Sequence, residues 1–394
     1  MNEPLMLLPR EEASLRIDRL HKAMAGAGID GLLVADNADI FYLTGRVYAG
    51  FAYIPAGMAP LWFVRRPVEL EGDGVVYIRK PEDIASHIVA AGLVMPRRLG
   101  LELDILSFNQ AERLRSVFPG AECVDATPMM RSMRAVKTYY EVEQMRLSGL
   151  KHEQVYRKIP KLYRVGMTDV ELQVEIERIS RLEGCLGVFR ISGQSMEIYM
   201  GNVLAGRNAD VPAPYDFAMG GRGLDPSIPG GAAGEEIKEH NAVMVDLNGN
   251  FTGYMTDMTR VFAVGSLPQE AVDAHQCSID ICRAFEREAR PGVEARTLYE
   301  MCADMARERG LERYFMGHRQ HAGFVGHGVG IEVNEWPVIA PRSRQILERN
   351  NTIALEPKFV IPEVGAVGIE NTYVIEDTGA RSLTNAPEEI VQLI

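Results

Sequence analysis

The stretch Val245–Arg260, VDLNGNFTGYMTDMTR, contains two aspartates that each interrupt an apolar segment. Asp246 follows the run AVMV, and Asp257 lies 11 residues further along the chain, with Gly249 and Gly253 between them. Two antiparallel strands joined by a glycine-containing turn would bring the two carboxylates side by side. A buried carboxylate is costly unless it is paired, hydrogen-bonded or bound to a metal ion, so the stretch predicts a hairpin with a functional acidic pair.

Three more candidate ligands follow towards the C-terminus. His327 lies in FVGHGVG, Glu356 in TIALEPKF and Glu370 in VGIENTY. The two glutamates are 14 residues apart, with Pro362 and Gly365 between them, which predicts a second hairpin. Four carboxylates and one imidazole are too many ligands for one tetrahedral zinc ion. They suit two adjacent divalent ions, such as Mn²⁺, Co²⁺, Fe²⁺ or Zn²⁺, that hold a hydroxide and polarise a carbonyl group.

Composition excludes several other classes of protein. Among the 394 residues, 42 Lys plus Arg face 54 Asp plus Glu, and the formal net charge of −12 argues against binding to a nucleic-acid backbone. The sequence shows no apolar run of the roughly 18–20 residues that a membrane span needs and no signal peptide. Its five cysteines form no CxxC pair, which is typical of reduced thiols. We therefore expect a cytoplasmic protein without nucleic-acid or membrane partners.

The first third of the chain alternates strand-like and helical segments. An amphipathic helix over 12–27 is expected to end at Gly28, and GLLVAD over 31–36 reads as a buried strand. Further strands are expected at 61–64, 74–78, 99–103 and 121–124, and further helices at 82–91 and 108–118. This alternation predicts a layered α/β domain.

The pattern changes near residue 136, where we place a domain boundary. One long helical pattern runs from Met133 to about Leu162, and Thr168 opens the capping box TDVE of a second helix that reaches Leu182. The stretch 206–234 is rich in Gly, Pro and Ala, which predicts either a flexible loop or a loop at the site.

The motifs VDLNGNFTGYMTDMTR, GHGVG, ALEP and GIENT, in this order, resemble the prolidase/aminopeptidase P/methionine aminopeptidase/creatinase superfamily. RLHKAMAGAGIDGLLVADNADIFYLTG is similar to the opening of the creatinase/prolidase N-terminal domain, and RAVKTYYEVEQMRLSG to the linker into the catalytic domain. The resemblance implies an α/β N-terminal domain over 1–136 and an α+β catalytic domain of the pita-bread fold over 137–394.

The resemblance also implies a role for each ligand. Asp246 would chelate one metal ion, Asp257 and Glu370 would bridge two ions, and His327 and Glu356 would complete the second. Glu356 would also accept the proton of the bridging water, and the resulting hydroxide would attack an amide carbonyl. The implied activity is cleavage of Xaa-Pro dipeptides or other short peptides by a homodimer with two divalent ions, Mn²⁺ being favoured. Thr259 and Thr372 are candidates to support the bridging acids.

Four positions depart from the superfamily pattern. Prolidases and aminopeptidase P carry histidines where this chain has Asn334, Gly323 and Pro229 or its neighbours, and an arginine where it has Gly368. Asn334 remains a candidate hydrogen-bond donor to an oxyanion in catalysis. These departures weaken the prediction of Xaa-Pro specificity more than that of metal binding.

Other residues are candidates to contact the substrate. His318 and His321, in MGHRQHAGF, would replace the missing histidines, although a pair on a surface loop is equally compatible with the sequence. Arg190, in the expected strand VFRIS, and Tyr199 and Asn202, in GQSMEIYMGN, would line the pocket. An ordinary hairpin is the alternative for that second segment.

Three alternatives stay open at this point. In the first alternative, the chain is a hydrolase, or even a lyase, that acts on a small non-peptide metabolite, as creatinase-like relatives do. The missing histidines favour this alternative. It would be a non-catalytic binding protein on the same fold, or its five ligands would be a metal-free remnant. The number and order of the matching residues argue against the last two.

Overall fold

The structure is a computed structural model that describes residues 3–193, 199–216 and 219–394. The chain forms two compact units, Met1–Arg134 and Ala135–Ile394. The division lies close to the boundary expected near residue 136. Within the described ranges, no helix combines the length and apolarity needed to cross a membrane.

The N-terminal unit is built on a six-stranded sheet of order β6-β4-β3-β2-β7-β8. Its strands are β1 (Glu3–Pro4), β2 (Gly31–Val34), β3 (Ala49–Pro55), β4 (Leu61–Arg66), β5 (Leu70–Glu71), β6 (Val75–Tyr77), β7 (Arg98–Leu101) and β8 (Glu122–Asp125). Its helices are α1 (Arg10–Ala27), α2 (Asn37–Thr44), α3 (Ile84–Ala90), α4 (Phe108–Val117) and α5 (Thr127–Ala135). The expected α/β alternation is therefore present, and β2 pairs in parallel with β7.

Local chemistry explains where elements of this unit begin and end. Gly28 adopts the left-handed conformation that ends α1, as expected from the sequence. Helix α2, which the periodicity does not predict, begins because the Asp36 carboxylate accepts the backbone N–H groups of Ala38 and Asp39. A helix of eight residues is too short for its apolar period to be recognised.

The C-terminal unit combines three sheets with helices. Its helices are α6 (Tyr139–Tyr156), α7 (Asp169–Leu182), α8 (Gln269–Glu288) and α9 (Ala295–Glu308). Its strands are β9 (Gly201–Ala205), β10 (Ala242–Asn250), β11 (Met255–Ala263), β12 (Gly326–Gly328), β13 (Glu335–Ile339), β14 (Thr352–Leu355), β15 (Lys358–Ile361), β16 (Gly365–Gly368), β17 (Asn371–Glu376), β18 (Gly379–Ser382) and β19 (Val391–Gln392). The sheet orders are β19-β11-β10-β9, β13-β12-β14-β17-β18 and β15-β16.

Two hydrophobic cores hold helices against these sheets. In one, side chains of α6 and α7, such as Val155 and Ile176, pack with Val245 and Met258 of the β10–β11 hairpin. In the other, side chains of α8 and α9 pack with residues of the β14–β17 region. Helices thus pack against these sheets and keep water away from the covered strands. The strands are closely packed and form a rigid frame for the polar side chains that they carry.

The prediction of a single long helix from Met133 to Leu162 is wrong. Helix α5 ends at Ala135, and Thr138 starts α6 anew through a capping box with Glu141. Helix α6 ends at Tyr156, shortly before Pro160, which lacks the N–H group that a continuing helix would use. The capping box at Thr168 is present as expected and opens α7.

Gly149 lies where α6 makes its closest approach to the C-terminal part of the chain. A Cβ atom at this position would lie 2.0 Å from the backbone oxygen of Leu383. We expect Gly149→Ala to lower the free energy of unfolding by about 1–3 kcal/mol, since helix and backbone must move apart. Gly26→Ala in α1 is the matched control, because nothing lies within 4 Å of its Cβ position. The expectation is contradicted if urea denaturation shows that Gly149→Ala, like the control Gly26→Ala, is as stable as the parent protein.

Candidate metal centre

The β10–β11 hairpin places Asp246 and Asp257 on one face of a sheet. In its antiparallel register Asp246 lies opposite Thr259, and Asn248 lies opposite Asp257. Since residues opposite each other share a face, as do residues two apart, the two carboxylates are diagonal neighbours on the same side. The buried Tyr156 hydroxyl donates to the backbone oxygen of Met258 in β11 and accepts the N–H of Leu247 in β10, and so fixes the hairpin from the helix side.

Glu356 and Glu370 flank the second hairpin. Glu356 follows β14 and precedes β15, whereas Glu370 follows β16 and precedes β17, so the β15–β16 hairpin extends from the two acids. Helix α8 holds the approach to Glu370, because Ser278 accepts the N–H of Ile369 at 2.9 Å. The backbone of Glu370 also forms a bridge with Thr259 of β11, which joins the two acidic hairpins.

His327 completes the group from the centre of β12, where it lies opposite Ala354 of β14. Its Nε2 atom is 3.4 Å from Glu356 Oε1 and 4.0 Å from Asp257 Oδ2. The ligand atoms fall into two overlapping triads, each with all atoms within 4.8 Å of one another. The histidine triad is Asp257, His327 and Glu370, and the acidic triad is Asp246, Glu356 and Glu370. The structure thus brings together all five candidate ligands.

Two threonines orient the acids, as the sequence suggested. Thr259 Oγ1 donates to Glu370 Oε2 at 2.8 Å. Thr372 Oγ1 accepts the N–H of Asp257 at 2.8 Å and donates to the backbone oxygen of Asp257 at 2.9 Å. The contact from Thr259 fixes the direction in which Glu370 presents its oxygen atoms, whereas Thr372 holds the backbone of Asp257.

Lys358 is a sixth charged residue of the cage, which the reading of the sequence missed. Its Nζ atom donates to Asp246 Oδ2 and Glu356 Oε2, both at 2.7 Å, and lies 3.5 Å from Glu370 Oε2. The side chain is fully buried. The signal was present in ALEPKFVI, where a lysine lies two residues after a candidate ligand within an otherwise apolar segment.

Electrostatics in the cage are dominated by burial and by mutual charge. Burial, reinforced by the charge of Asp246, raises the pKa of Asp257 to about 7. Burial would lower the pKa of His327, but its hydrogen bond to Glu356 and the charges of Glu356 and Asp257 raise it to about 9. The pKa of Glu370 is raised well above its usual range, first by burial and then by neighbouring carboxylates.

Glu356 and Lys358 hold each other in their charged forms. Burial would raise the pKa of Glu356, but the charge of Lys358 and the hydrogen bond with His327 lower it. Burial would lower the pKa of Lys358, but the charges of Asp246, Glu356 and Glu370 raise it well above its usual value. The ammonium group of Lys358 is therefore favoured in its charged form inside the acidic cage.

The donor set of the histidine triad fits a divalent cation. Glu370 Oε2 is engaged by Thr259 and approached by Lys358. Glu370 Oε1 is buried and has no hydrogen-bond partner among the residues that the structure describes. A buried carboxylate oxygen without a donor is costly, and a cation satisfies it. One imidazole and two carboxylates suit Mn²⁺, Co²⁺, Fe²⁺ or Zn²⁺.

Asn334, a candidate oxyanion donor, binds the chain segment around Ser192. Its amide oxygen accepts the N–H of Ser192 at 2.7 Å, and its amide nitrogen donates to the Ser192 oxygen at 2.6 Å. The segment 188–192, expected to be a strand, is irregular, which corrects that prediction. Its backbone is held by Asn334, by a hydrogen bond from Val333 N–H to the Arg190 oxygen, and by the Asn250 side chain, which donates to the Val188 oxygen.

The two candidate histidines of the loop lie in a small cleft together with Asp210, Asp216 and Val360. His318 Nδ1 is 3.0 Å from Asp210 Oδ2, and His321 Nδ1 is 2.9 Å from the backbone oxygen of Phe315. Tyr199 is 42% exposed. Half of the segment GQSMEIYMGN, residues 194–198, lies outside the described residues, as do residues 217 and 218 of the Gly-rich stretch.

Two of the positions that depart from the superfamily pattern differ in the space around them. Gly368 has φ of +128°, and a Cβ atom there would lie 2.6 Å from the Pro357 oxygen, so an arginine cannot be accommodated without moving the backbone. Gly323 donates its N–H to Asp216, and its Cβ position lies 3.2 Å from Asp216 Oδ2. Position 368 is therefore closed to a larger side chain, whereas at position 323 a side chain fits if the exposed Asp216 carboxylate shifts by a small distance.

A buried cage of four carboxylates and one histidine, framed by helix-covered sheets, defines the class of metal-dependent hydrolases. The chain belongs to metallopeptidase family M24, whose family model matches residues 143–377, and the creatinase/prolidase N-terminal domain matches residues 16–136. Both matches confirm the superfamily and the fold class expected from the motifs.

Individual relatives span the whole length of the chain. The "Uncharacterized peptidase YqhT" of Bacillus subtilis is 25% identical, with 96% of this chain and 100% of the relative covered. The Xaa-Pro dipeptidase of Pyrococcus furiosus is 24% identical, with 95% and 99% covered. Among solved structures, the Xaa-Pro dipeptidase from Bacillus anthracis superposes with a TM-score of 0.79 at 22% identity, covering 97% of this chain and 100% of the other. This structural likeness shows that the fold is shared.

Proposed function

We propose that the protein is a metal-dependent hydrolase that cleaves the amide bond of Xaa-Pro dipeptides or of other short peptides. The observation that carries the proposal is the convergence of Asp246, Asp257, His327, Glu356 and Glu370 in one buried cage. The substrate class is supported by two relatives that are Xaa-Pro dipeptidases and that match this chain over nearly their full length.

The residues of the cage divide the chemical work. A divalent ion bound there would polarise an amide carbonyl and lower the pKa of a water molecule. Glu356 is the candidate proton acceptor: the neighbouring charge of Lys358 and the hydrogen bond with His327 lower its pKa, so it is ionised at neutral pH. It would then pass the proton to the leaving nitrogen. One N–H of the Asn334 amide is used by the backbone oxygen of Ser192, so only its second N–H would donate to the carbonyl oxygen as negative charge develops there.

A panel of dipeptides tests the proposal. Protein stripped with a chelator and reloaded with Mn²⁺, Co²⁺ or Zn²⁺ is expected to hydrolyse Xaa-Pro dipeptides, while the stripped protein stays at background. Peptides with the same first residue but without proline measure the specificity. The peptidase proposal is wrong if no loaded form cleaves any Xaa-Pro or N-terminal peptide bond.

A second candidate is the hydrolysis of a C–N bond in a small non-peptide metabolite, as in creatinase-like relatives. It is favoured by Gly368, because this position has no room for the arginine that prolidases carry there. Creatine and related guanidino compounds belong in the same panel. Cleavage of these compounds in place of dipeptides would favour the second candidate.

Other features of the proposal follow from the superfamily. We expect Mn²⁺ to be the favoured metal and a homodimer to be the functional assembly. His318, His321, Arg190 and Tyr199 lie outside the superfamily pattern and are proposed as substrate contacts from the sequence alone. A cytoplasmic location agrees with the acidic composition and reduced cysteines. Light scattering on the purified protein measures the assembly directly.

A further inference from the structure

Lys358 lies at the centre of the acidic triad and makes contacts of the kind that a cation makes there. An ammonium group has three N–H donors, and three carboxylates lie around Nζ, two at 2.7 Å and one at 3.5 Å. Each of the three acids that would surround an ion on this side, Asp246, Glu356 and Glu370, is therefore already facing a positive charge.

Space in the acidic triad does not allow the ammonium group and a metal ion together. Carboxylate oxygens lie about 2.0–2.2 Å from a transition-metal ion. An ion coordinated by Asp246 Oδ2 and Glu356 Oε2 would thus lie in the volume that Nζ fills at 2.7 Å from both oxygens. Electrostatic repulsion acts in the same direction, because a buried ammonium next to a divalent ion is poorly screened.

Lys358 has a fixed backbone and a buried side chain, and together these keep the ammonium group in the cage. Lys358 is the first residue of β15, lies opposite Gly368 of β16, and its backbone oxygen accepts the N–H of Met316 at 2.8 Å. The side chain is 0% exposed. Moving the ammonium elsewhere would leave it buried and unpaired, which typically costs several kcal/mol.

We propose that Lys358 replaces the second metal ion, so that the chain binds one divalent ion in the histidine triad while the lysine ammonium neutralises the acidic triad. The inference rests on the proposed function only in that the cage binds a metal. It differs from the two-ion centre that the resemblance implies. Since all three donors of the ammonium face carboxylates, Lys358 acts on the reaction by positioning Glu356 and Glu370.

The number of bound ions tests this proposal. Chelator-stripped protein is loaded with excess Mn²⁺, desalted, and its metal content per chain is measured by mass spectrometry. We expect one ion in the parent protein and two in Lys358→Ala, with a spin-coupled Mn²⁺ pair in the resonance spectrum of the variant alone. Lys238→Ala, at an exposed lysine, is the matched control and is expected to keep one ion.

Two further variants keep the test decisive if Lys358→Ala does not fold. Asp246→Asn removes a carboxylate of the acidic triad only and is expected to keep one ion, whereas Asp257→Asn is expected to lose it. Two ions in the parent protein, none in it, or one in a folded Lys358→Ala would each overturn the proposal. Failure on the dipeptide panel would leave the ion count unaffected. A failure of the proposed function is therefore distinguishable from a failure of the one-ion proposal.

Discussion

Replacing Asp257 by asparagine is expected to lower kcat/KM on the best dipeptide by about 10³-fold or more. The substitution removes a charged ligand of the histidine triad, and losing several kcal/mol of metal-assisted stabilisation corresponds to a rate loss of that order. The fold is expected to persist, because both hydrogen bonds between Asp257 and Thr372 use the backbone of residue 257.

Steady-state kinetics and thermal melting of the metal-free protein together check this result. Asp280→Asn, at a partly exposed position of α8, is the control and is expected to keep full activity, since Asp280 contacts Arg309 and Gln276 near the surface and no residue of the cage. Activity of Asp257→Asn within tenfold of the parent would contradict the role of the histidine triad. Loss of activity together with loss of the folded state would assign Asp257 a structural role.

Replacing the buried Arg260 by methionine is expected to lower the free energy of unfolding by about 3–5 kcal/mol. The guanidinium donates to the backbone oxygens of Thr259 and Glu370, both at 2.8 Å, and to Asn371 Oδ1 at 2.8 Å. It also donates to the backbone oxygens of Ala386 and Pro387. Methionine fills a similar volume but leaves all these acceptors without their donor.

The control for this substitution is Arg349→Met, at an exposed arginine that pairs with Asp377. A surface substitution of this kind usually changes stability by no more than about 0.5 kcal/mol. Urea denaturation of both variants measures the difference. A loss of less than about 1 kcal/mol in Arg260→Met would mean that the acceptors find other donors.

The acidic hairpins were predictable because their geometry is local. Asp246 and Asp257 are connected by a short glycine-containing turn, so strand alternation alone indicates that their side chains meet. The same reasoning places Glu356 and Glu370 at the ends of the β15–β16 hairpin. The superfamily motifs then fixed the fold class, which the family matches confirm.

The role of Lys358 was not predictable in the same way. A lysine in an apolar strand is compatible with an edge position, a surface-directed side chain or a buried ion pair. Its partners, Asp246 and Glu370, are 112 and 12 residues away in the chain and come from different strands. The ammonium group faces three carboxylates because the two hairpins pack against each other, and this packing is seen only in the folded structure.

Two local errors have a similar origin. The helical pattern around α5 and α6 was read as continuous, because the capping residue Thr138 lies within a segment whose apolar period persists on both sides. The segment 188–192 was read as a strand from its apolar and β-branched residues, but Asn334 holds it in an irregular conformation. Side-chain bonds to distant backbone groups override local propensity in this segment.

Hydrolysis of an Xaa-Pro dipeptide by chelator-stripped protein, followed while Mn²⁺ is added back, tests the central claim most directly. The predicted result is background activity without metal and a rise to a plateau when one equivalent of Mn²⁺ is bound. Equal activity before and after metal addition, or no hydrolysis by protein that holds the metal, would contradict a metal-dependent peptidase centre in this cage.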